Sequence, residues 1–222
     1  MSRSIVWRLI RKDLYLARPV MLGALVLGVA MLALTPFGMV AFYVGSVSFL
    51  CVLILLNVLL VSATVASEKK DRVVLFVLSL PISTTQYALA KMASSLIAFL
   101  VPFVLMAGAT LALFDYTPMP NGLIPVIVVV VMYVFFYFCL FLGVALVADS
   151  GFWNTVVIIF GNVSINFVIA WAMRLPSVSE TASGETAVWS HELVAALAIE
   201  LVLSVVALGV SLYFTVRKKD FI

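Results

Sequence analysis

Residues 123–147 read LIPVIVVVVMYVFFYFCLFLGVALV, an apolar stretch without a charged side chain. A helix that crosses the hydrocarbon core of a bilayer needs roughly 20 such residues, because it satisfies its backbone hydrogen bonds internally. Over the whole chain 65% of the residues are hydrophobic and 10% are charged, whereas soluble domains contain about 25% charged residues. The sequence therefore predicts an all-α, polytopic membrane protein.

Five further apolar runs lie on either side of this stretch, so the chain, residues 1–222, is expected to form a single transmembrane domain with six spanning helices. The first run follows a basic segment, as in a secretory signal, but no small-x-small cleavage site comes after it, so we expect it to be retained. The longer connections are 66–91 and 174–192. The predicted spans are Val20–Leu34, Val40–Val65, Met92–Phe114, Leu123–Val147, Trp153–Met173 and Leu193–Val216.

The placement of basic residues predicts the orientation. All but one of the 13 Lys and Arg residues fall before the first span, in the connection 66–91 or after the last span. Only Arg174 lies on the other side. Because short basic segments resist translocation, the basic side is expected to be cytoplasmic, with both termini inside. This arrangement requires an even number of spans and supports six.

The pattern of apolar and basic side chains in residues 3–17 predicts an amphipathic helix before the first span. On a helical wheel, the apolar side chains from Ile5 to Leu16 occupy one half and the basic ones the other, and Asp13 is the exception. A basic amphipathic helix suits the cytoplasmic membrane interface. The alternative is an ordinary basic flank that only fixes the orientation.

The connection 66–91 carries the most informative motif. A charged segment, Glu68-Lys69-Lys70-Asp71-Arg72, precedes an apolar run over 73–78 that is too short to cross a bilayer. Pro81 is expected to end that element, since it disfavours helical geometry in the residue before it. Ser83 and Gln86 have the spacing of a capping box, which predicts the start of a new helix.

This arrangement resembles the permease subunits of type-2 ABC exporters. The resemblance rests on Glu68 with its basic neighbours, on the segment Ser79-Leu80-Pro81-Ile82-Ser83, on Tyr87, and on Lys91 at the mouth of the third span. The interfacial helix, the six spans and the longer outer connection extend it over nearly the whole chain. It implies a prokaryotic cytoplasmic (inner) membrane location and a cytoplasmic coupling helix in the connection. The residues implied to couple to an ATPase are Glu68, Lys69, Asp71, Arg72, Leu80 and Pro81.

The resemblance also implies partners: two copies of an ABC ATPase subunit, a second permease copy or a sister permease, and membrane lipid. The chain itself has no G-x-x-x-x-G-K-[ST] phosphate loop, so we expect no cofactor and no ATP hydrolysis in this chain. The expected cargo is a hydrophobic or amphiphilic solute, such as a peptide, lipid, drug or glycan. The alternative is a membrane anchor or sensor that recruits a cytoplasmic partner without transport.

Four polar residues deep in the last two predicted spans are candidates for the translocation path: Asn162, Asn166, Glu200 and Ser204. Glu200 sits roughly 15 Å from the outer boundary, where a charge costs about 3 kcal/mol on insertion scales. Asn166 is expected at the depth of Glu200, and Asn162 at the depth of Ser204, in two antiparallel helices. The four residues predict either a polar ladder along the transport path or ordinary interhelical hydrogen bonding.

Other kinds of site are disfavoured. An intramembrane enzyme that uses Glu200 as an acid or base would need a second group, and the sole histidine, His191, is roughly 13 Å away by helical rise. We therefore expect no catalytic residue. His191, Cys51 and Cys139 have no metal-ligand spacing, so no metal site is predicted. The net charge of +3 is too small to indicate a nucleic-acid partner.

Overall fold

A computed structural model describes residues 2–66, 83–117, 119–148, 150–184 and 186–217. Within these ranges the chain is helical and contains no strand, and six helices are long and apolar enough to cross a membrane. The all-α, polytopic prediction is confirmed. The six long helices are α1 Ser2–Leu34, α2 Met39–Val61, α3 Thr84–Tyr116, α4 Ile124–Val147, α5 Gly151–Arg174 and α6 His191–Arg217.

The helix α3 begins where the capping-box spacing predicted. The backbone N–H of Gln86 donates to Ser83 Oγ, and the backbone N–H of Ser83 donates to Gln86 Oε1, both at 3.2 Å. These two bonds satisfy donors that a helix start would otherwise leave unpaired. The predicted helix start is confirmed, and it lies eight residues before the predicted span at Met92.

The helix α1 differs from the prediction, because residues 3–17 do not form a separate helix. They continue without a break into the first span, and Pro19 lies inside α1. The physical reason is tertiary packing: α1 lies along both α2 and α3, and such neighbours can hold a proline within a membrane helix. The interfacial position of residues 3–17 stays a prediction.

The helix α4 occupies the centre of the described bundle. It is the most buried of the six spans and packs against α5, α6, α2 and α3. The helices α1, α2 and α3 form a second group in which α1 contacts both of the others. Stacked rings of Phe99 on α3 and Phe138 on α4, with centroids 4.0 Å apart, join the two groups.

The connections between the long helices contain short helical segments at both ends of the bundle. A π-helical turn, Ser62–Ala66, continues α2 up to the residues that the structure leaves undescribed. On the other side, a short helix, Pro176–Ser179, follows α5. Gly122 then donates its backbone N–H to Gly184 O at 3.1 Å, and a side chain at Gly122 would collide with the Thr181 carbonyl. The connection 174–192 is therefore folded back onto the start of α4.

Candidate functional site

A buried ion pair joins the amino-terminal half of α1 to the start of α3. Lys91 Nζ lies 2.7 Å from Asp13 Oδ2, and the side chains of the two residues are 0% and 2% exposed. Charges this deeply buried are costly unless they are paired and additionally hydrogen-bonded. The environment of the pair therefore decides whether it is stable.

The surrounding groups supply those additional hydrogen bonds. Lys91 Nζ also donates to the carbonyl of Thr64, at 3.1 Å. The hydroxyl of Ser94 donates to Asp13 Oδ2, also at 3.1 Å. The hydroxyl of Thr64 is hydrogen-bonded to that of Ser95 at 3.1 Å. The polar cluster of Asp13, Thr64, Lys91, Ser94 and Ser95 thus connects α1, the end of α2 and α3.

Helical spacing explains why these side chains meet. Ser94 and Ser95 follow Lys91 by three and four residues, so all three lie on one face of α3. On α1, Asp13 and Ala17 are four residues apart and both are buried, which marks the face that contacts α3. Thr64 lies in the π-helical turn Ser62–Ala66, a type of distortion that is frequent at functional sites.

Two members of the polar cluster flank the connection 67–82 in the sequence. Thr64 is two residues before Ala66, where the described chain stops, and Lys91 is eight residues after Ser83, where it resumes. The predicted coupling residues lie outside the described residues. They are Glu68, Lys69, Asp71, Arg72, Leu80 and Pro81. Tyr87, which also belongs to the motif, is buried, and its ring centroid lies 6.0 Å from Lys91 Nζ.

Sequence reasoning did not predict this ion pair. Asp13 was noticed only as the acidic residue that breaks the amphipathic pattern, and Lys91 only as part of the family motif. The sequence nevertheless contains a sign that Asp13 is paired, because an acidic residue on the apolar face of a helix needs a buried partner. The partner is 78 positions away in the chain, and no local pattern identifies it.

The predicted polar ladder between the last two spans is not formed. Asn162 and Asn166 are exposed on α5, and their amide groups donate to the carbonyls of Ile158 and Asn162 at 2.8 and 2.9 Å. Glu200 and Ser204 are buried instead. The position of a residue along a predicted span indicates its depth in the membrane but not the neighbour that its side chain faces.

Glu200 and Ser204 face α4 rather than α5. Ser204 Oγ donates to the Glu200 carbonyl at 2.7 Å, and both residues are buried in a helix that packs chiefly on α4. The Tyr133 hydroxyl is hydrogen-bonded to Ser164 on α5. In the described part of the chain, Glu200 Oε2 has no hydrogen-bond partner. The Tyr133–Ser164 hydrogen bond thus joins α4 to α5, whereas Glu200 makes no such bond to α4.

The described residues include no group of three or more His, Cys, Asp or Glu side chains that could hold a metal ion. The geometry defines a multi-pass membrane protein in which the described residues form a buried charge cluster at the end of the bundle that carries the amino terminus. That end also carries the undescribed connection 67–82.

A family model described as "ABC-2 family transporter protein" matches residues 8–218. The chain therefore belongs to this family and is a membrane-spanning permease subunit of an ABC transporter, which works with an ABC ATPase subunit. The resemblance seen in the sequence is confirmed. No curated protein and no solved structure matches the chain.

Proposed function

We propose that this permease subunit is part of an exporter that moves a hydrophobic or amphiphilic solute, such as a peptide, lipid, drug or glycan, out of the cytoplasm. ATP would be hydrolysed by two copies of a separate ATPase subunit. The observation that carries the proposal is the buried cluster around Asp13 and Lys91, because it links the helices on both sides of the connection 67–82 to each other and to α1.

The cluster supports a mechanical role for that connection. Thr64 lies three residues before its first residue and Lys91 nine residues after its last, and Lys91 Nζ donates to the Thr64 carbonyl. A buried ion pair is only weakly screened by salt and is costly to break. A push on the connection from a bound ATPase would therefore move α1, α2 and α3 together. Glu68, Lys69, Asp71, Arg72, Leu80 and Pro81 are proposed to make the contact with the ATPase.

The proposed assembly places this end of the bundle in the cytoplasm of a prokaryotic cell, with the chain in the cytoplasmic membrane. The distribution of all but one of the 13 basic residues supports this orientation. A second permease copy or a sister permease is proposed to complete the transport path, with lipid around the dimer. Asn162 and Asn166 support this, since exposed amides at membrane depth are costly against hydrocarbon.

The four polar residues of the last spans contribute differently to this proposal. Asn162 and Asn166 lie on an exposed face of α5 and are proposed to line the path between two permeases. Glu200 and Ser204 are turned into their own bundle, so the arrangement favours a packing role for them over direct contact with the solute.

The test is a double replacement in the connection, Glu68→Ala with Pro81→Ala, in the permease purified with its ATPase. We expect membrane insertion to be unchanged and solute-stimulated ATP turnover to fall to the basal rate. Glu180→Ala, at an exposed position beyond α5, is the matched control and should behave as wild type. Wild-type turnover in the double variant would exclude the coupling role.

The same preparation distinguishes an exporter from an anchor or sensor. An exporter subunit should copurify with an ATPase whose ATP turnover rises when a solute is added. An anchor should recruit its partner through the same connection without a response to any solute. Accumulation of solute inside sealed inverted vesicles, on addition of ATP, would give the direction of transport directly.

A further inference from the structure

Two apolar cavities lie in the half of the bundle that is opposite the amino terminus. The first has a volume of about 250 Å³ and is surrounded by α1, α2, α3, α4 and α5, with Leu32, Phe49, Leu113, Val130 and Met173 among its lining residues. The second, of about 530 Å³, lies between α3, α4 and α6.

The two cavities adjoin each other. Thr110, Ile127 and Val131 line both of them, so these three residues form a common wall. The second cavity also reaches lipid-facing positions, since its lining includes Leu111 and Leu201, which are 41% and 51% exposed. The two cavities therefore lie side by side, the second at the side of the bundle between α3 and α6 and the first further into it.

The walls are apolar except for three hydroxyls, those of Thr35, Ser46 and Thr110. No charged side chain lines either cavity. The hydroxyls of Thr35 and Thr110 donate to the carbonyls of Leu32 and Met106, at 2.7 and 2.9 Å, so they are already satisfied within their own helices. An ordered water needs two to four polar partners, which these walls do not supply. A polar ligand would lose its own hydrogen bonds there.

We propose that the two cavities bind one acyl chain of a membrane lipid, which enters between α3 and α6 and passes Val131 to reach the interior. The occupant is a lipid chain because the site opens at membrane depth, where hydrocarbon is the surrounding medium. The first cavity, which is the one further inside the bundle, has a volume of about 250 Å³. This is the volume of roughly eight waters at about 30 Å³ each. This suits a chain segment, whereas the headgroup stays at the membrane surface. The bound chain would fill space that otherwise lacks packing partners.

The experiment uses the permease with its ATPase in phosphatidylcholine nanodiscs that contain phosphatidylcholine with a photoreactive diazirine near the acyl-chain end. After illumination, mass spectrometry maps the labelled residues. We expect labelling at the common wall and at deeper positions such as Val130. Unlabelled phosphatidylcholine should compete with the probe, whereas glycerophosphocholine, which has the headgroup but no acyl chains, should not.

Two variants narrow the passage at partly exposed wall positions: Val131→Phe and Ile127→Phe. Each should reduce labelling at Val130 several-fold while the melting temperature stays close to that of wild type. Leu105→Phe, at a position that is 56% exposed and lines neither cavity, should leave the labelling unchanged.

Labelling restricted to outward-facing residues such as Leu105 would mean surface lipid only and would overturn the proposal. The same conclusion follows if both phenylalanine variants, folded as wild type, keep full labelling at Val130, or if glycerophosphocholine alone competes with the probe.

Discussion

Asp13 shows how one side chain can fix the relative position of helices that are distant in sequence. It is 2% exposed and is held by Lys91 and Ser94. Removing one member of such a pair leaves the other charge buried without compensation, which is far more costly than removing both. Within the amino-terminal half of α1, the residue that looks misplaced on the helical wheel thus forms an ion pair that ties α1 to α3.

We therefore predict that Lys91→Met lowers the free energy of unfolding by about 3–5 kcal/mol, because the Asp13 carboxylate stays buried without its partner. The double variant Asp13→Leu with Lys91→Met should recover most of that loss. Unfolding in mixed micelles of mild detergent and dodecyl sulfate measures both effects.

Lys12 provides the control for this prediction. Its ammonium lies 3.5 Å from Asp13 Oδ1, but its side chain is 44% exposed, and an exposed pair contributes about 0–1 kcal/mol. Lys12→Met should therefore change the stability little. Equal losses from Lys12→Met and Lys91→Met would show that burial is not the source of the effect.

At the scale of helices, small residues let α4 approach its neighbours closely. The ring of Tyr137 on α4 lies directly against Gly161 on α5, where a Cβ would collide with it. On its other side, α4 meets α6 at Gly143, where an added Cβ would lie 3.2 Å from both Ala207 O and Ser211 Cβ. Because hydrophobic burial does not drive helix association inside a membrane, such close contacts provide much of the packing energy.

We predict that Gly161→Ala destabilises the fold by about 1–3 kcal/mol, since overpacking at a tight contact forces helices or rings to shift. Gly209→Ala is the matched control, because nothing lies within 4 Å of a Cβ there. It should be neutral or stabilise the helix by up to about 1 kcal/mol. Thermal unfolding in one detergent compares the two variants, and an equal response would contradict the proposed contact between α4 and α5.

At the scale of the whole molecule, six candidate spans and the distribution of basic residues predict one topology. With both termini in the cytoplasm, the connection 66–91 is on the inside and 174–192 is on the outside. In this predicted topology, the short helix Pro176–Ser179 and the contact between Gly122 and Gly184 would lie at the outer end. The polar cluster around Asp13 and Lys91 would lie at the inner end.

Cysteine labelling on intact cells tests this topology. A membrane-impermeant maleimide should modify Ser183→Cys from outside and Lys70→Cys only after permeabilisation. The reverse pattern would overturn the orientation. The native Cys139 is buried, and Cys51 lies within α2, so replacing both with Ala provides the background.

The sequence by itself determined the class of fold, the six spans and the start of α3 at its capping box. These features depend on composition and on local hydrogen bonding, which are encoded within one or two helical turns. The motif from Glu68 to Lys91 also indicated the family.

Only the tertiary structure decided which polar groups meet. It paired Asp13 with Lys91, continued residues 3–17 into the first span, and turned Glu200 towards α4 while leaving Asn166 exposed. The periodicity of a membrane helix gives the depth of each residue, but almost every face is apolar, so the pattern does not show which face meets which neighbour. That choice depends on close contacts such as Tyr137 with Gly161 and on the few buried charges that must find partners.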